Sequence, residues 1–258
     1  MRQLPDRAPP RRPVAPVARW FSWYFRRSAR RHFAGVHWSA AEDPAEWGPT
    51  PVLVVANHST WWDGPLAYLL SAELGRPFNV AMEAKHLERH PYFNWIGAHP
   101  IRRTTMAERY ADLEWLGATL VPGGMLWIFP QGERRPAAAS LRLLERGAAH
   151  LALARRPVRI VPVGIRLAHL SEQLPDAFLR VGPSWVVGPN DPRDRVALTE
   201  DIGTVLGRTL RETDALISGE LLSSWRPLLE GSLSLNRRIE QVRRLAGLTS
   251  GAFVPRNG

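Results

Sequence analysis

The 258-residue chain contains no cysteine, which excludes disulfides, thiolate metal sites and a cysteine nucleophile and leaves the redox compartment open. It lacks the apolar core of a secretory signal. The charge-free run between Trp115 and Gly132 is long enough to raise a membrane span. Pro122-Gly123-Gly124 interrupts it, so helix, turn and strand are expected instead, and no transmembrane helix. There is no internal repeat. The eight histidines are scattered and are read as forming no helical zinc pair, so no metal is expected. A Gly-x-Ser-x-Gly nucleophile turn is also missing, which argues against hydrolysis through an activated serine.

With 45% hydrophobic and 22% charged residues, the chain reads as globular, and its length suits one α/β domain with terminal additions. The charge is unevenly placed. Up to Gly35 nine arginines stand against the single acid Asp6, a net of +8 in a chain whose formal net charge is +10. A basic end on a nearly neutral body points to a surface anchor more than to nucleic acid. Residues 1–16, rich in Pro and Arg, are expected to form an extended arm. Residues 17–32 are expected to form a helix, with Val17, Phe21, Tyr24 and Ser28 on one face and Trp20, Tyr24, Arg27 and Arg31 on the next. Aromatic rings at headgroup level and guanidinium groups on anionic lipid would make this an interfacial amphipathic helix. Packing of the same helix on its own domain is the alternative. The expected organisation is a basic arm with interfacial helix over 1–35 and an α/β domain with a helical C-terminal end over 36–258.

The informative stretch is 52–65, VLVVANHSTWWDGP. Val52 to Ala56 is a β-branched, apolar run of strand length. Asn57, His58, Ser59 and Thr60 are turn formers, and Asp63-Gly64-Pro65 opens a helix that continues through Leu66, Ala67, Leu69 and Leu70. His58 therefore sits at the carboxyl end of a strand and Asp63 at the start of a helix. If the turn folds back, the carboxylate accepts from one ring nitrogen and leaves the other free to take a proton from a hydroxyl. Asp63 would serve equally well as a plain helix cap.

Further strands are expected over 78–82, 97–103, 125–129 and 158–165, the last with Pro162 implying an edge or a bulge. Helices are expected over 105–120, with apolar positions at Met106, Tyr110, Leu113 and Leu116, over 141–154, 199–216 and 235–245, and further strands within 178–187. The aromatics Tyr92, Phe93 and Trp95 either line an apolar pocket or fill the core. The turn Pro130-Gln131-Gly132-Glu133-Arg134-Arg135 follows the strand 125–129; its glycine admits close approach and its arginines suit phosphate. Alternating strands and helices imply an α/β sheet that brings His58, Arg103 and Arg134 to one end.

Four of these segments, in this order, make the chain resemble the glycerolipid (1-acylglycerol-3-phosphate) acyltransferase family over residues 51–166. The family's His and Asp separated by four residues look like Asn57-His58-Ser59-Thr60-Trp61-Trp62-Asp63. Its strand ending in Arg looks like Gly97-Ala98-His99-Pro100-Ile101-Arg102-Arg103, with Arg103 matching the phosphate-contacting arginine. Its Phe-Pro-Glu-Gly-Thr-Arg is similar to Phe129-Pro130-Gln131-Gly132-Glu133-Arg134, and its Val-Pro-Val to Val161-Pro162-Val163. Gln131 stands where the family usually has Glu, and Glu133 where it has Thr, which bears on the acceptor rather than on acyl transfer.

The resemblance implies a mixed, mostly parallel sheet flanked by helices. It also implies direct acyl transfer from a thioester, acyl-CoA or acyl carrier protein, to the hydroxyl of a lysophospholipid or related lipid. His58 and Asp63 would be catalytic, and Arg103, Gln131, Gly132 and Arg134 would bind substrate. No cofactor beyond the thioester co-substrate is implied. The expected setting is the cytoplasmic face of an anionic membrane, peripheral or monotopic, with no nucleic-acid partner. A non-catalytic lipid-binding relative of the same fold, or an arginine-rich nucleic-acid-binding protein, are the rival readings.

Overall fold

A computed structural model describes residues 10, 13–136, 141, 144–170, 172–219 and 221–231. The chain enters through α1 (Ala15–His32) and β1 (Gly35–Ala40), then runs β2 (Val52–Ala56), α2 (Asp63–Glu73), β3 (Val80–Glu83), α3 (Ala84–Arg89) and β4 (Ala98–Ile101). It continues through α4 (Met106–Leu116), β5 (Met125–Ile128), α5 (Gly147–Ala154) and β6 (Val158–Ala168). Two strands, β7 (Asp176–Val181) and β8 (Trp185–Val187), then the long α6 (Arg195–Ser218) and β9 (Arg226–Glu230) complete the described elements. All strands join one sheet in the order β4-β3-β5-β2-β6-β7-β1-β9, with β8 paired to β6. The strands from β4 to β6 run parallel; β7 is antiparallel to β6, β1 is parallel to β7, and β9 returns antiparallel to β1.

The uninterrupted apolar run of β2 follows from this placement. It lies between β5 and β6 and is covered on both faces, so all five of its residues are buried and neither face reads as polar. On one face Val52, Val54 and Ala56 meet α1 and α2 through Phe25, Leu66 and Leu69; on the other Leu53 and Val55 meet α4 and α5 through Leu116 and Leu151. The connection after β2 therefore leaves over one face and the connection after β5 over the other. Between the carboxyl ends of these two adjacent strands lies the crevice that open α/β sheets use for ligands.

Helix α1 has two characters. Phe21, Phe25 and Ala29 are buried in the first cluster, and the Tyr68 hydroxyl donates to the Ala18 carbonyl at 2.7 Å. Burying each aromatic contributes roughly 1.5–3 kcal/mol. Burial raises the Tyr68 pKa, and nearby Arg26 opposes the rise. The outer stripe is left open, with Trp20, Trp23 and Tyr24 exposed and Arg27 stacked over Trp23. Phe25 rather than Tyr24 joins Phe21 on the buried side.

Other expectations shift as well. Met106 is exposed, because it occupies the first turn of α4 while Leu113 and Leu116 carry the packing. Pro162 is interior, not at an edge: β8 pairs with β6 up to Ile160 and β7 from Val163 onward, so the missing N–H falls where the neighbouring strand changes. The helix expected from 141 begins at Gly147, and the run 84–96 holds α3 and a short 3-10 helix, Pro91–Ile96. The helix expected over 235–245 lies outside the described residues.

Candidate active site

The turn after β2 closes as its residue types demand. Asp63, fully buried, accepts at Oδ2 from Nδ1 of His58 at 2.7 Å and from the backbone N–H groups of Ser59 and Thr60 at 2.7 and 2.8 Å. Its Oδ1 accepts from the Thr60 hydroxyl at 2.9 Å. One carboxylate thus closes the turn and holds the ring; it is not the helix cap expected of it, since Trp62 takes that position and makes no side-chain cap bond. The imidazole stacks on Phe129, with centroids 4.5 Å apart, and remains one-quarter exposed. Among the described residues no hydrogen-bond partner occupies Nε2. Asn57 locks the preceding residue: its amide donates to the Ile165 carbonyl at 3.0 Å and accepts from the Ile165 N–H at 2.7 Å, tying the end of β2 to β6.

The turn after β5 lies alongside. Gln131 is buried, and its Oε1 accepts from the His58 N–H at 2.6 Å; the Arg135 N–H donates to the His58 carbonyl at 2.8 Å. Gln131 therefore holds the histidine turn in place, a task that needs an acceptor oxygen and not a charge. Gly132 has φ +73°, a left-handed conformation that favours glycine, and a Cβ there would run into Glu145. Arg103 reaches this turn from the end of β4, donating from Nη1 to the Gly132 carbonyl at 2.5 Å. Arg102, by contrast, is clamped to Asp112 through Nε at 2.9 Å and Nη2 at 2.8 Å, a hydrogen bond that raises its pKa. Arg134 is exposed and pairs with no acid among the described residues; Glu133 instead pairs with Arg135 at 2.7 Å.

His58, Asp63, Gln131, Gly132 and Arg103 thus form one connected site at the crevice, with Arg134 on its rim. Three participants were not foreseen from sequence: Phe129 under the ring, and Glu145 and Arg109, whose ion pair at 2.7 Å joins them to Arg103. Only tertiary contact reveals the last two, which stand 13 (Glu145) and 23 (Arg109) residues from Gly132 of the turn they support. His86 and His90 do stand four apart, contrary to the reading of the histidines as lacking that spacing. His90 lies past the end of α3 with its Nδ1 bonded to the Tyr92 hydroxyl, and His86 lies near Glu83. Among the described residues no group of three or more His, Asp or Glu is placed to hold a metal ion.

Beside the site runs an apolar groove of about 660 Å³, bounded by Trp20, Phe21 and Tyr24 of α1, by Trp61 of the histidine turn, and by Tyr92 and Trp95. Five of its aromatics, Trp20, Tyr24, Trp61, Tyr92 and Trp95, are exposed. No described helix is long and apolar enough to cross a membrane.

A histidine ring held by a buried carboxylate thus stands at the crevice of a mostly parallel sheet, next to a glycine turn that an arginine contacts. Residues 42–166 match the family model described as Acyltransferase. The fold is similar to that of the 1-acyl-sn-glycerophosphate (LPA) acyltransferase PlsC from Thermotoga maritima, with a TM-score of 0.56 and 18% identity over 77% of this chain and 80% of that one. No curated protein sequence matches the chain. The Acyltransferase match spans just under half of the chain, and the likeness to PlsC is one of fold.

Proposed function

We propose that the protein moves a fatty acyl group from acyl-CoA or an acyl carrier protein to the hydroxyl of a lysophospholipid or related lipid acceptor, with His58 as general base. The observation that carries this reading is the 2.7 Å contact between Nδ1 of His58 and the buried Asp63 carboxylate, which leaves Nε2 of a partly exposed ring without a hydrogen-bond partner among the described residues. Nε2 takes the proton of the acceptor hydroxyl as its oxygen attacks the thioester carbonyl. The tetrahedral intermediate collapses, the carbon–sulfur bond breaks, and the imidazolium returns the proton to the leaving thiolate. Asp63 fixes the tautomer and stabilises the imidazolium. Arg103 and Arg134 bind phosphate of the acceptor or donor, and Gly132 admits the ligand. No residue is acylated, and the thioester is the only co-substrate.

The setting follows from the same surface. The exposed aromatics of α1 sit at headgroup level, with Arg27, Arg30 and Arg31 against anionic lipid at roughly 1 kcal/mol each. The site then opens beside the bilayer that holds its acceptor, on the cytoplasmic face where the thioester is found. The test is incubation of the purified protein with a labelled acyl thioester and a panel of lysolipids, glycolipids and free alcohols. Transfer to a lipid hydroxyl that disappears in His58→Ala, with the fold intact by circular dichroism, supports the reading. Lipid binding without thioester consumption, or transfer that survives His58→Ala, refutes it.

A further inference from the structure

Arg103 and Arg109 do not stand open to a ligand. Glu145, on the segment entering α5, lies between them, its Oε1 accepting from Nη2 of Arg103 at 2.5 Å and its Oε2 from Nη1 of Arg109 at 2.7 Å. Its backbone N–H donates to the Pro130 carbonyl at 2.6 Å, which anchors the segment to the turn after β5. The other terminal nitrogen of Arg103 is engaged by the Gly132 carbonyl. The space that the missing Cβ of Gly132 leaves for a ligand is filled by the Glu145 carboxylate. All three charged side chains are nevertheless between one-fifth and one-third exposed, so an anion in solution can reach them.

We propose that Glu145 is a specificity-determining residue, an internal counter-anion that competes with the acceptor's phosphate for Arg103 and Arg109. This rests on the acyl-transfer reading of the site given above. A phosphate-bearing acceptor engages both arginines only by displacing this carboxylate. A phosphomonoester carries a charge of about −1.5 to −2 and three terminal oxygens, more than Glu145 offers, and gains on the exchange. A phosphodiester headgroup brings one charge and two free oxygens, no more than the carboxylate it would replace. Glu145 thereby biases the site toward acceptors with a terminal phosphate and against lysolipids with a diester headgroup.

The experiment has a kinetic arm and a binding arm. Glu145→Gln keeps the shape and removes the charge. It is expected to lower KM for 1-acylglycerol 3-phosphate on the order of tenfold, the scale of one or two partly exposed ion pairs, while KM for an uncharged monoacylglycerol stays put. Its advantage for monoester over diester acceptors narrows. The effect disappears in the Arg103→Ala background if the competition runs through that arginine. An unchanged or raised KM for the phosphate acceptor overturns the proposal, as does an equal change for both acceptors, which is what a purely structural ion pair produces. The binding arm titrates glycerol 3-phosphate into His58→Ala with and without Glu145→Gln. Tighter binding in the double variant supports competition whatever the catalytic outcome, and equal or weaker binding refutes it. Residual transfer by His58→Ala counts against the general base alone, so the two failures are told apart. Should Glu145→Gln fail to fold, Glu145→Asp, too short to span both arginines, must move affinity in the same direction.

Discussion

Replacing Asp63 by Asn isolates the charge of the histidine's partner from its geometry. The carboxylate oxygen Oδ2 receives three donors, the His58 ring and the N–H groups of Ser59 and Thr60, while Oδ1 receives only the Thr60 hydroxyl. An asparagine amide must therefore keep its oxygen at the Oδ2 position, because an NH2 group there would face two fixed backbone donors. Its NH2 falls opposite Thr60, whose hydroxyl can rotate and accept. The turn and the His58 tautomer are retained, and only the charge that stabilises the imidazolium is lost. At an effective dielectric of about 20, an imidazolium and a carboxylate centred about 4 Å apart interact by about 4 kcal/mol. The partial exposure of His58 reduces this, so kcat is expected to fall about 10²- to 10³-fold with KM nearly unchanged. Asp63→Ala, by contrast, leaves the ring and two backbone donors without an acceptor and destabilises the fold by about 3 kcal/mol or more. Initial rates of labelled acyl transfer, saturated in each substrate, and denaturant unfolding of both variants are the measurements. A folded Asp63→Asn enzyme with kcat within threefold of wild type would refute the argument.

Four further outcomes follow from individual contacts. Asn57→Ala orphans the N–H and C=O of Ile165 in a buried site, and is expected to cost about 2–4 kcal/mol, seen as a lower urea midpoint with an unchanged m value. Gly132→Ala forces a side chain into a left-handed position against Glu145; a loss of about 1–3 kcal/mol with a raised acceptor KM is expected, and wild-type melting would show the turn to be more yielding than described. Trp20→Ala with Trp23→Ala, both on the open side of α1, should change stability by no more than about 0.5 kcal/mol per site yet weaken co-sedimentation with phosphatidylglycerol vesicles; equal sedimentation removes the membrane role of this face. Burial holds the His150 pKa below its ordinary value, so the unfolded chain binds the extra proton first. Its contribution is present above about pH 6.5 and is lost as pH falls through the native value, so the stability difference between pH 7.5 and 5.5 should shrink in His150→Gln.

The strand, turn and helix around His58 were legible because their signals are local. A β-branched run, four turn formers and an Asp-Gly-Pro helix start fall within fourteen residues, and β2 and the start of α2 lie where that pattern puts them. The meeting of Arg103 with the glycine turn was legible at lower resolution, since alternating strands and helices carry strand ends to a common edge. Gln131 was read as a substrate ligand because its oxygen's partner, the His58 N–H, lies 73 residues away and leaves no mark in the sequence. The same holds for Glu145, an unremarkable acid in a leucine- and arginine-rich run until folding sets it between two arginines. Strands β1 and β9 escaped notice for another reason. Each is short and interrupted by polar residues or proline, and only pairing with each other and with β7 holds them extended.

The phase of α1 shows what such a reading lacks and constrains how membrane binding can be tested. Aromatics at 20, 21, 23, 24 and 25 surround the helix, so spacing alone cannot choose a buried face; contact with Tyr68, Tyr92 and Phe93 selects Phe21 and Phe25. The helix is then both core and surface, and the groove it bounds shares a wall with Trp61, two residues before Asp63. Deleting the leading segment to separate lipid from nucleic-acid binding would strip Phe21, Phe25 and Ala29 from the core and unsettle the site with it. Charge substitutions avoid this. Arg27→Gln, Arg30→Gln and Arg31→Gln all lie on the exposed side, and together they are expected to weaken retention on anionic vesicles in a salt-dependent way with little change in melting. Retention on nucleic acid that falls while vesicle binding persists would instead assign the arginine stripe to the other polyanion.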